Sequence, residues 1–261
     1  MLDLQDLHLE IKNSGPSLLL LHGFAGSTRN WRGLTRALED HWQTLCYDLP
    51  GHARSTAPNT ADAYTIEAQC NLIDQILEQK AQLPAVVGGM SMGAGLALQY
   101  ALRHPKKLRG LILIAYPSGA RHAGGIQPYI HAFADKIDDA GPEKAGAEFV
   151  WHEASGFNKK DRALIRLGFL EHPAHGLSLS LRHLLGQYPE NLDLMKLAEQ
   201  IKIPTLMIAG SLDTPALEIS QRLVRHIPQA QLSIIEGGGH LVNIDSAKVF
   251  NEIVINFLNS L

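Results

Sequence analysis

Residues 83–100 read LPAVVGGMSMGAGLALQY, and this stretch decides the fold. Ala85 to Val87 form a short apolar run suited to a buried strand, Gly89-Met90-Ser91-Met92-Gly93 reads as a sharp turn, and Leu96, Ala97, Tyr100 and Ala101 share one helical face. The serine at the centre of the turn has glycine two positions away on each side. A hydroxyl is a weak nucleophile unless it projects from a rigid, strained turn toward a base. Strand and helix can approach such a turn only if its flanks are nearly free of side chain. The helix that starts after Ser91 also aims its free N–H groups and positive dipole end at the serine, where an oxyanion would form, with the Met92 N–H as one donor.

A pentapeptide of the form G-x-S-x-G is not decisive alone; the strand before it and the helix after it carry the weight. Gly93-Ala94-Gly95 also matches the opening of a dinucleotide fingerprint, but the third glycine position holds Leu98 and strands already precede it.

Upstream, Leu7, Leu9 and Ile11 alternate with polar residues as an edge strand would, and residues 13–16 (NSGP) close it as a turn. Residues 17–21 are long enough for a strand buried on both faces. They lead into His22-Gly23-Phe24-Ala25-Gly26-Ser27. This loop has two readings: a backbone N–H from Phe24 as a second oxyanion donor, or a plain β-to-α turn with His22 hydrogen-bonded structurally. A helix over residues 30–38 and a buried strand over residues 43–47 follow. The strand ends in Asp48-Leu49-Pro50-Gly51-His52, whose Asp48 and His52 read as pins of the loop. Residues 66–79 form a helix with Ile66, Cys70, Ile73 and Leu77 inward.

Downstream, His104-Pro105 stops the helix and residues 109–115 give another buried strand. The alternation predicts an α/β fold: a mostly parallel central sheet with helices on both faces. From Pro117 to about Glu199 it gives way to helices without strands, over residues 126–139, 143–153, 160–171 and 177–185. The expected organisation is a core of residues 1–116 and 196–261, with residues 117–195 inserted as a helical cap. Tyr129, Phe133, Trp151 and Phe157 lie in the cap, where they could line a substrate pocket or serve ordinary packing. Strands resume over residues 204–209 and 231–235. The first leads to Gly210-Ser211-Leu212-Asp213 and the second to Gly237-Gly238-Gly239-His240; the closing helix, 247–258, turns Val249, Phe250, Ile253 and Phe257 inward.

At 261 residues with 45% hydrophobic composition the chain can bury a full core, and 23 basic against 26 acidic residues leave a net charge of −3, no electrostatic reason to expect nucleic acid or a membrane surface. Two cysteines, Cys46 and Cys70, are too few for a disulfide scaffold. With no signal-peptide pattern, a cytoplasmic location is expected. The thirteen histidines are scattered; His172 and His175 flank a proline without carboxylate or cysteine partners at ligand spacing, so no metal and no cofactor is expected.

Ser91, Asp213 and His240 stand at the C-terminal ends of three expected parallel strands, the edge where open α/β sheets bind ligands. His226 sits at a helix end, Asp245 lies beyond His240, Glu236 precedes a flexible glycine run, and Ala115-Tyr116-Pro117 offers no carboxylate. In the order Ser, Asp, His, the expected roles are nucleophile, orienting acid and general base.

The chain resembles the α/β-hydrolase superfamily along most of its length, in LLLLHGFAGS, CYDLPGHARS, VVGGMSMGAG, LMIAGSLDTPA and IIEGGGH. The resemblance implies oxyanion-hole N–H groups at Phe24 and Met92 and a triad of Ser91, Asp213 and His240. Ala53 departs from it, where many relatives carry glycine. Haloalkane dehalogenases and epoxide hydrolases of this fold use an aspartate nucleophile, where Ser91 stands here. C–C hydrolases often carry Asn before the serine, where Met90 stands. The menaquinone-pathway lyase places an arginine four residues after it, where Gly95 stands. The remainder is similar to small esterases, enol-lactone hydrolases and cofactor-free perhydrolases. The expected function is hydrolysis of a small-molecule ester or lactone substrate through an acyl-enzyme on Ser91. Two alternatives remain: a C–C hydrolase of ring-cleavage products, with Arg29 or Arg121 as carboxylate partner, or a binding protein of the same fold with little turnover.

Overall fold

The structure is a computed structural model that describes residues 2–38, 41–117, 126–152, 157 and 159–261. Its strands are β1 (Leu9–Lys12), β2 (Ser17–Leu21), β3 (Gln43–Tyr47), β4 (Ala85–Met90), β5 (Leu108–Ile114), β6 (Thr205–Gly210) and β7 (Ala230–Ile235). They form one sheet in the order β1-β3-β2-β4-β5-β6-β7. β1 runs antiparallel to β3, Leu9 opposite Tyr47, and every other pairing is parallel, with Leu19 beside Leu45 on one side and Val87 on the other.

The apolar strands explain the layering. A two-residue repeat sends Leu19, Leu21, Leu45, Val87, Leu111 and Leu113 to one face, against Ile73 and Leu77 of α2 (Ile66–Lys80) and Leu96 of α3 (Met92–Arg103). The alternate set, Leu18, Leu20, Cys46, Val86, Ile112 and Ile114, meets Leu34 of α1 (Arg32–Ala37) and Phe250 and Val254 of α10 (Ala247–Leu258). Both cysteines are free and buried.

Local departures have local causes. The helix expected from residue 30 starts later, because a 3₁₀ turn over Thr28–Trp31 comes first, closed by the Ser27 N–H donating to Asn30 Oδ1 at 2.7 Å. In α10 the buried stripe is Phe250, Val254, Phe257 and Leu258, while Val249 is 48% exposed. Turning both phenylalanines inward carries Val249 out.

Between β5 and β6 come α4 (Ile126–Phe149), α5 (Lys159–Phe169), α6 (Ala174–His183) and α7 (Asn191–Ala198). α4 breaks at Gly141, φ 82°, just before Pro142, which lacks an N–H and disfavours helix in the residue before it. Glu153, the expected end of its second half, lies outside the described residues. Phe133, Phe169, Leu177 and Leu181 join the apolar cluster over the α2–α3 face, and Arg182 ties α6 to Asp135 and Asp138 of α4, each at 2.7 Å. The rest are α8 (Thr214–His226) and the short α9 (Val242–Asp245).

Candidate active site

Ser91 joins β4 directly to α3 with φ 52° and ψ −118°, outside the regions that an L-residue adopts without strain. Its N–H donates to the Ile114 carbonyl at 2.9 Å, tying the turn to β5. The flanking glycines are required by space. A Cβ at Gly89 would stand 2.0 Å from the Gly93 carbonyl oxygen, and one at Gly93 would stand 2.3 Å from that of Leu21. The loop after β2 also comes close, though less so, since a Cβ at Gly23 would meet Ser91 Cβ at 3.2 Å. Among the described residues neither the Phe24 N–H nor the Met92 N–H has an acceptor.

Asp213 follows β6 at the start of α8, and the glycine run after β7 folds back over that strand end. A Cβ at Gly210 would lie 2.3 Å from the carbonyl oxygens of both Gly238 and Gly239. The run is therefore packed, and Gly237 takes φ 71°. This contact delivers His240 to Asp213, with Nδ1 to Oδ2 at 2.5 Å and both side chains largely buried. A carboxylate on Nδ1 fixes the proton there, so Nε2 carries the lone pair of a base. Phe157 sets its ring against the imidazole, centroids 5.1 Å apart at 71°. Asp245, set aside as acid by chain order, accepts the Gly239 N–H at 3.0 Å.

Ser91, Asp213, His240 and Phe24 line one cavity of about 490 Å³. Its other wall is aromatic and aliphatic. Phe133 stacks between Phe149 (5.0 Å, 9°) and Phe169 (5.9 Å, 11°), Phe24 meets Phe133 and Phe169 edge-on, and Tyr129, Ile130, Leu181 and Leu185 complete it. Of the pocket residues expected from sequence, Tyr129, Phe133 and Phe157 line the cavity. Trp151 does not: its ring lies against Gly146 and behind Phe169, 5.5 Å away. Phe149 and Phe169 were not singled out by the sequence, where helical spacing marks a buried aromatic but not which buried surface it faces. Arg29 is the single Lys or Arg among the described lining residues, and it is paired with Glu171 at 2.8 Å. Arg121 lies outside the described residues.

In the loop after β2, the structural reading of His22 holds. His22 Nδ1–H donates to the Gly23 carbonyl at 2.8 Å while Nε2 accepts the Leu49 N–H at 2.9 Å, and burial lowers its pKa to about 4. His52 packs on His22 and on His172, centroids 5.1 and 5.2 Å apart; burial holds both of these neighbours of Phe24 and Ala53 below the usual histidine range. His172 Nδ1 accepts the Ala53 N–H at 2.8 Å. Asp48 pins its loop as expected, accepting from Thr28 N–H at 2.7 Å and Arg54 Nε at 3.1 Å. The histidines are thus held as neutral structural groups, and among the described residues no cluster of three or more His, Cys, Asp or Glu could hold a metal ion.

A strained serine, a carboxylate-held imidazole and the Phe24 loop around one apolar cavity, with the Met92 N–H next to the serine in the chain, can perform acyl transfer. The chain belongs to the α/β-hydrolase fold family, whose profile matches residues 16–247. Within it, the chain is 28% identical over 259 residues to a putative 2-succinyl-6-hydroxy-2,4-cyclohexadiene-1-carboxylate synthase of Bacillus subtilis, covering 95% of this chain and 92% of that one. It is also 28% identical to Lipase 1 of Psychrobacter immobilis, over 89% of this chain and 74% of the lipase. Among solved structures it superposes on MenH from S. aureus with a TM-score of 0.83 at 24% identity, covering 97% and 98% of the two chains.

Proposed function

We propose that the protein hydrolyses small carboxylic esters or lactones of largely apolar acyl groups, through an acyl-enzyme on Ser91. The observation that carries this reading is that the strained serine shares one apolar cavity with the Asp213–His240 pair. His240 Nε2 takes the proton of Ser91 Oγ as the oxygen attacks the acyl carbon, and Asp213 stabilises the imidazolium. The Phe24 and Met92 N–H groups receive the oxyanion. Collapse expels the alcohol, protonated by His240; a water activated by the same nitrogen then releases the acid.

The wall chemistry supports the substrate class. The stacked rings of Phe133, Phe149 and Phe169 offer area at small entropic cost and no charge, which suits a medium alkyl or aromatic acyl group. An anionic substrate, such as the carboxylate in the name of the Bacillus relative, would call for an open cation, and the described wall offers only the Arg29–Glu171 pair. An arginine four residues after the serine has no room either, because a Cβ at Gly95 would stand 2.3 Å from the Tyr188 ring.

The test is cleavage of p-nitrophenyl esters from acetyl to dodecanoyl by wild type and Ser91→Ala. Turnover that peaks at a medium acyl length and vanishes in Ser91→Ala is expected. Equal cleavage by both proteins would refute the role of Ser91, and none by either would refute the esterase reading in favour of carbon–carbon or carboxylate chemistry.

A further inference from the structure

Among the described residues, the region between β5 and β6 reaches the candidate base through Phe157, which lines the cavity, and through Asp161, which does not. Phe157 meets the imidazole in a T-shaped contact. Asp161, in the first turn of α5, is fully buried, and its Oδ2 accepts the main-chain N–H of His240 at 2.7 Å; the adjacent Leu241 N–H is also hydrogen-bonded to this carboxylate. The neighbouring cations point elsewhere: Lys159 and Lys160 are exposed, and Arg162 donates to the His152 carbonyl at 3.1 Å. Among the described residues, His240 and Asp245 are charged groups that face Asp161, and Asp213 grips the same imidazole.

Burying a carboxylate is costly unless it is well hydrogen-bonded, and an apolar side chain would pack α5 against the core at less cost. What the carboxylate adds is a hold on two consecutive amides of the loop that carries the base. That loop is otherwise fixed from the core side, by Asp245 on the Gly239 N–H and by the close approach of Gly210 to Gly238 and Gly239. Burial moves the Asp161 carboxyl upward from its usual range, against the opposite pull of the His240 and Leu241 amides.

We propose that Asp161 is a positioning residue for His240: it fixes the main chain of His240 and Leu241 from α5, so that the imidazole gripped by Asp213 faces Ser91 and the helices between β5 and β6 hold the base as well as the substrate. This rests on the role given to His240 above. It requires that loss of Asp161 act on turnover and leave substrate binding largely intact.

The experiment uses the full chain with wild type, Asp161→Ala, Asp161→Asn and Ser91→Ala, measuring kcat and KM on p-nitrophenyl butyrate across pH together with the rate of covalent labelling by a fluorophosphonate. Misplacing a base by about an ångström costs on the order of 10²-fold, so Asp161→Ala should lose about that much in kcat with KM within about threefold of wild type. Asp161→Asn keeps the volume and an acceptor oxygen. It should recover most of kcat, while the acid limb of its kcat/KM profile moves to lower pH, because a negative charge beside the imidazole has been removed. Wild-type kcat in Asp161→Ala, or a raised KM with kcat unchanged, would overturn the proposal. Should the alanine variant fail to fold, the asparagine variant decides, and an acid limb that stays in place overturns it. Labelling separates this proposal from the one beneath it. Failure of wild type to label at Ser91 defeats the hydrolase reading, whereas wild-type labelling rates in Asp161→Ala defeat only the role of Asp161.

Discussion

Acidification should destabilise this protein through three histidines outside the proposed chemistry. His22, His52 and His172 pack ring against ring at steep angles next to the Gly23–Ala25 loop, buried and hydrogen-bonded in the neutral form. For His22, burial lowers the pKa from an ordinary 6.5 to about 4. The folded state therefore binds fewer protons than the unfolded chain between those values. Stability from this group is complete above about pH 6.5 and is lost as pH falls toward 4. At pH 5 the unfolded imidazole is almost fully protonated and the folded one hardly at all, which for His22 alone amounts to about 2 kcal/mol. His52 and His172 are shifted in the same direction by the same cause and add to it. Glu10, which hydrogen bonds from His8, Thr28 and Arg54 bring down to about 2 against the upward pull of burial, acts only at lower pH. Urea unfolding followed by tryptophan fluorescence at pH 7.5, 6.5, 5.5 and 5.0 measures the effect. Wild type should lose at least about 2 kcal/mol between the extremes, a large part of the ~5–15 kcal/mol of a typical domain. His22→Gln, unable to titrate, should show a shallower slope by about one proton. A flat profile between pH 7.5 and 5, or an equal slope in His22→Gln, would refute the reasoning.

Two substitutions test the geometry of the site. Gly93→Ala forces a Cβ to within 2.3 Å of the Leu21 carbonyl oxygen, a clash with backbone that no rotamer relieves, so strand and helix must part at the elbow. It should abolish ester cleavage and cost about 2 kcal/mol or more by urea unfolding. Phe133→Ala removes the central ring of the stack; a cost of about 3–5 kcal/mol is expected, and the preferred acyl length in the p-nitrophenyl series should move upward as the cavity deepens.

The sheet was legible because its strands are buried on both faces and appear as unbroken apolar runs, and because Gly, Pro and the serine turn mark where each ends. Ser91, Asp213 and His240 were legible as candidates because a parallel sheet brings strand ends to one edge whatever lies between them in sequence. Asp161 gave no signal. It sits in a lysine-rich first turn, KKDRAL, where an acidic residue ordinarily serves the helix dipole, and only the tertiary fold brings His240 to it. Trp151 misled for the converse reason. A large aromatic beside aromatic neighbours reads as pocket wall, yet Gly146 leaves a slot that takes its ring behind Phe169. His22 and His52 show the same limit, since a histidine after a strand looks alike in sequence whether it faces substrate or is sealed beneath the loop.

The two halves of the site are held by different means. Ser91 is fixed within the core, by backbone approaches at Gly89 and Gly93 that leave no room for a Cβ, whereas the Phe24 ring packs both on His52 of the core and on Phe133 and Phe169 of the segment between β5 and β6. None of those contacts to Ser91 comes from the helices between β5 and β6. His240 differs, because its loop is gripped from the core by Asp213 and Asp245 and from the other side by Phe157 and Asp161. A serine without a seated base is a weak nucleophile. A displacement of α5 therefore reaches the proposed chemistry through His240 and, by way of Phe169, through the Phe24 loop, while the strained turn at Ser91 is bounded by core backbone. On the proposed function, the segment that lines the cavity is then also the segment that holds the candidate base, so substrate that seats α5 and Phe157 would be read by the imidazole without any movement of the sheet.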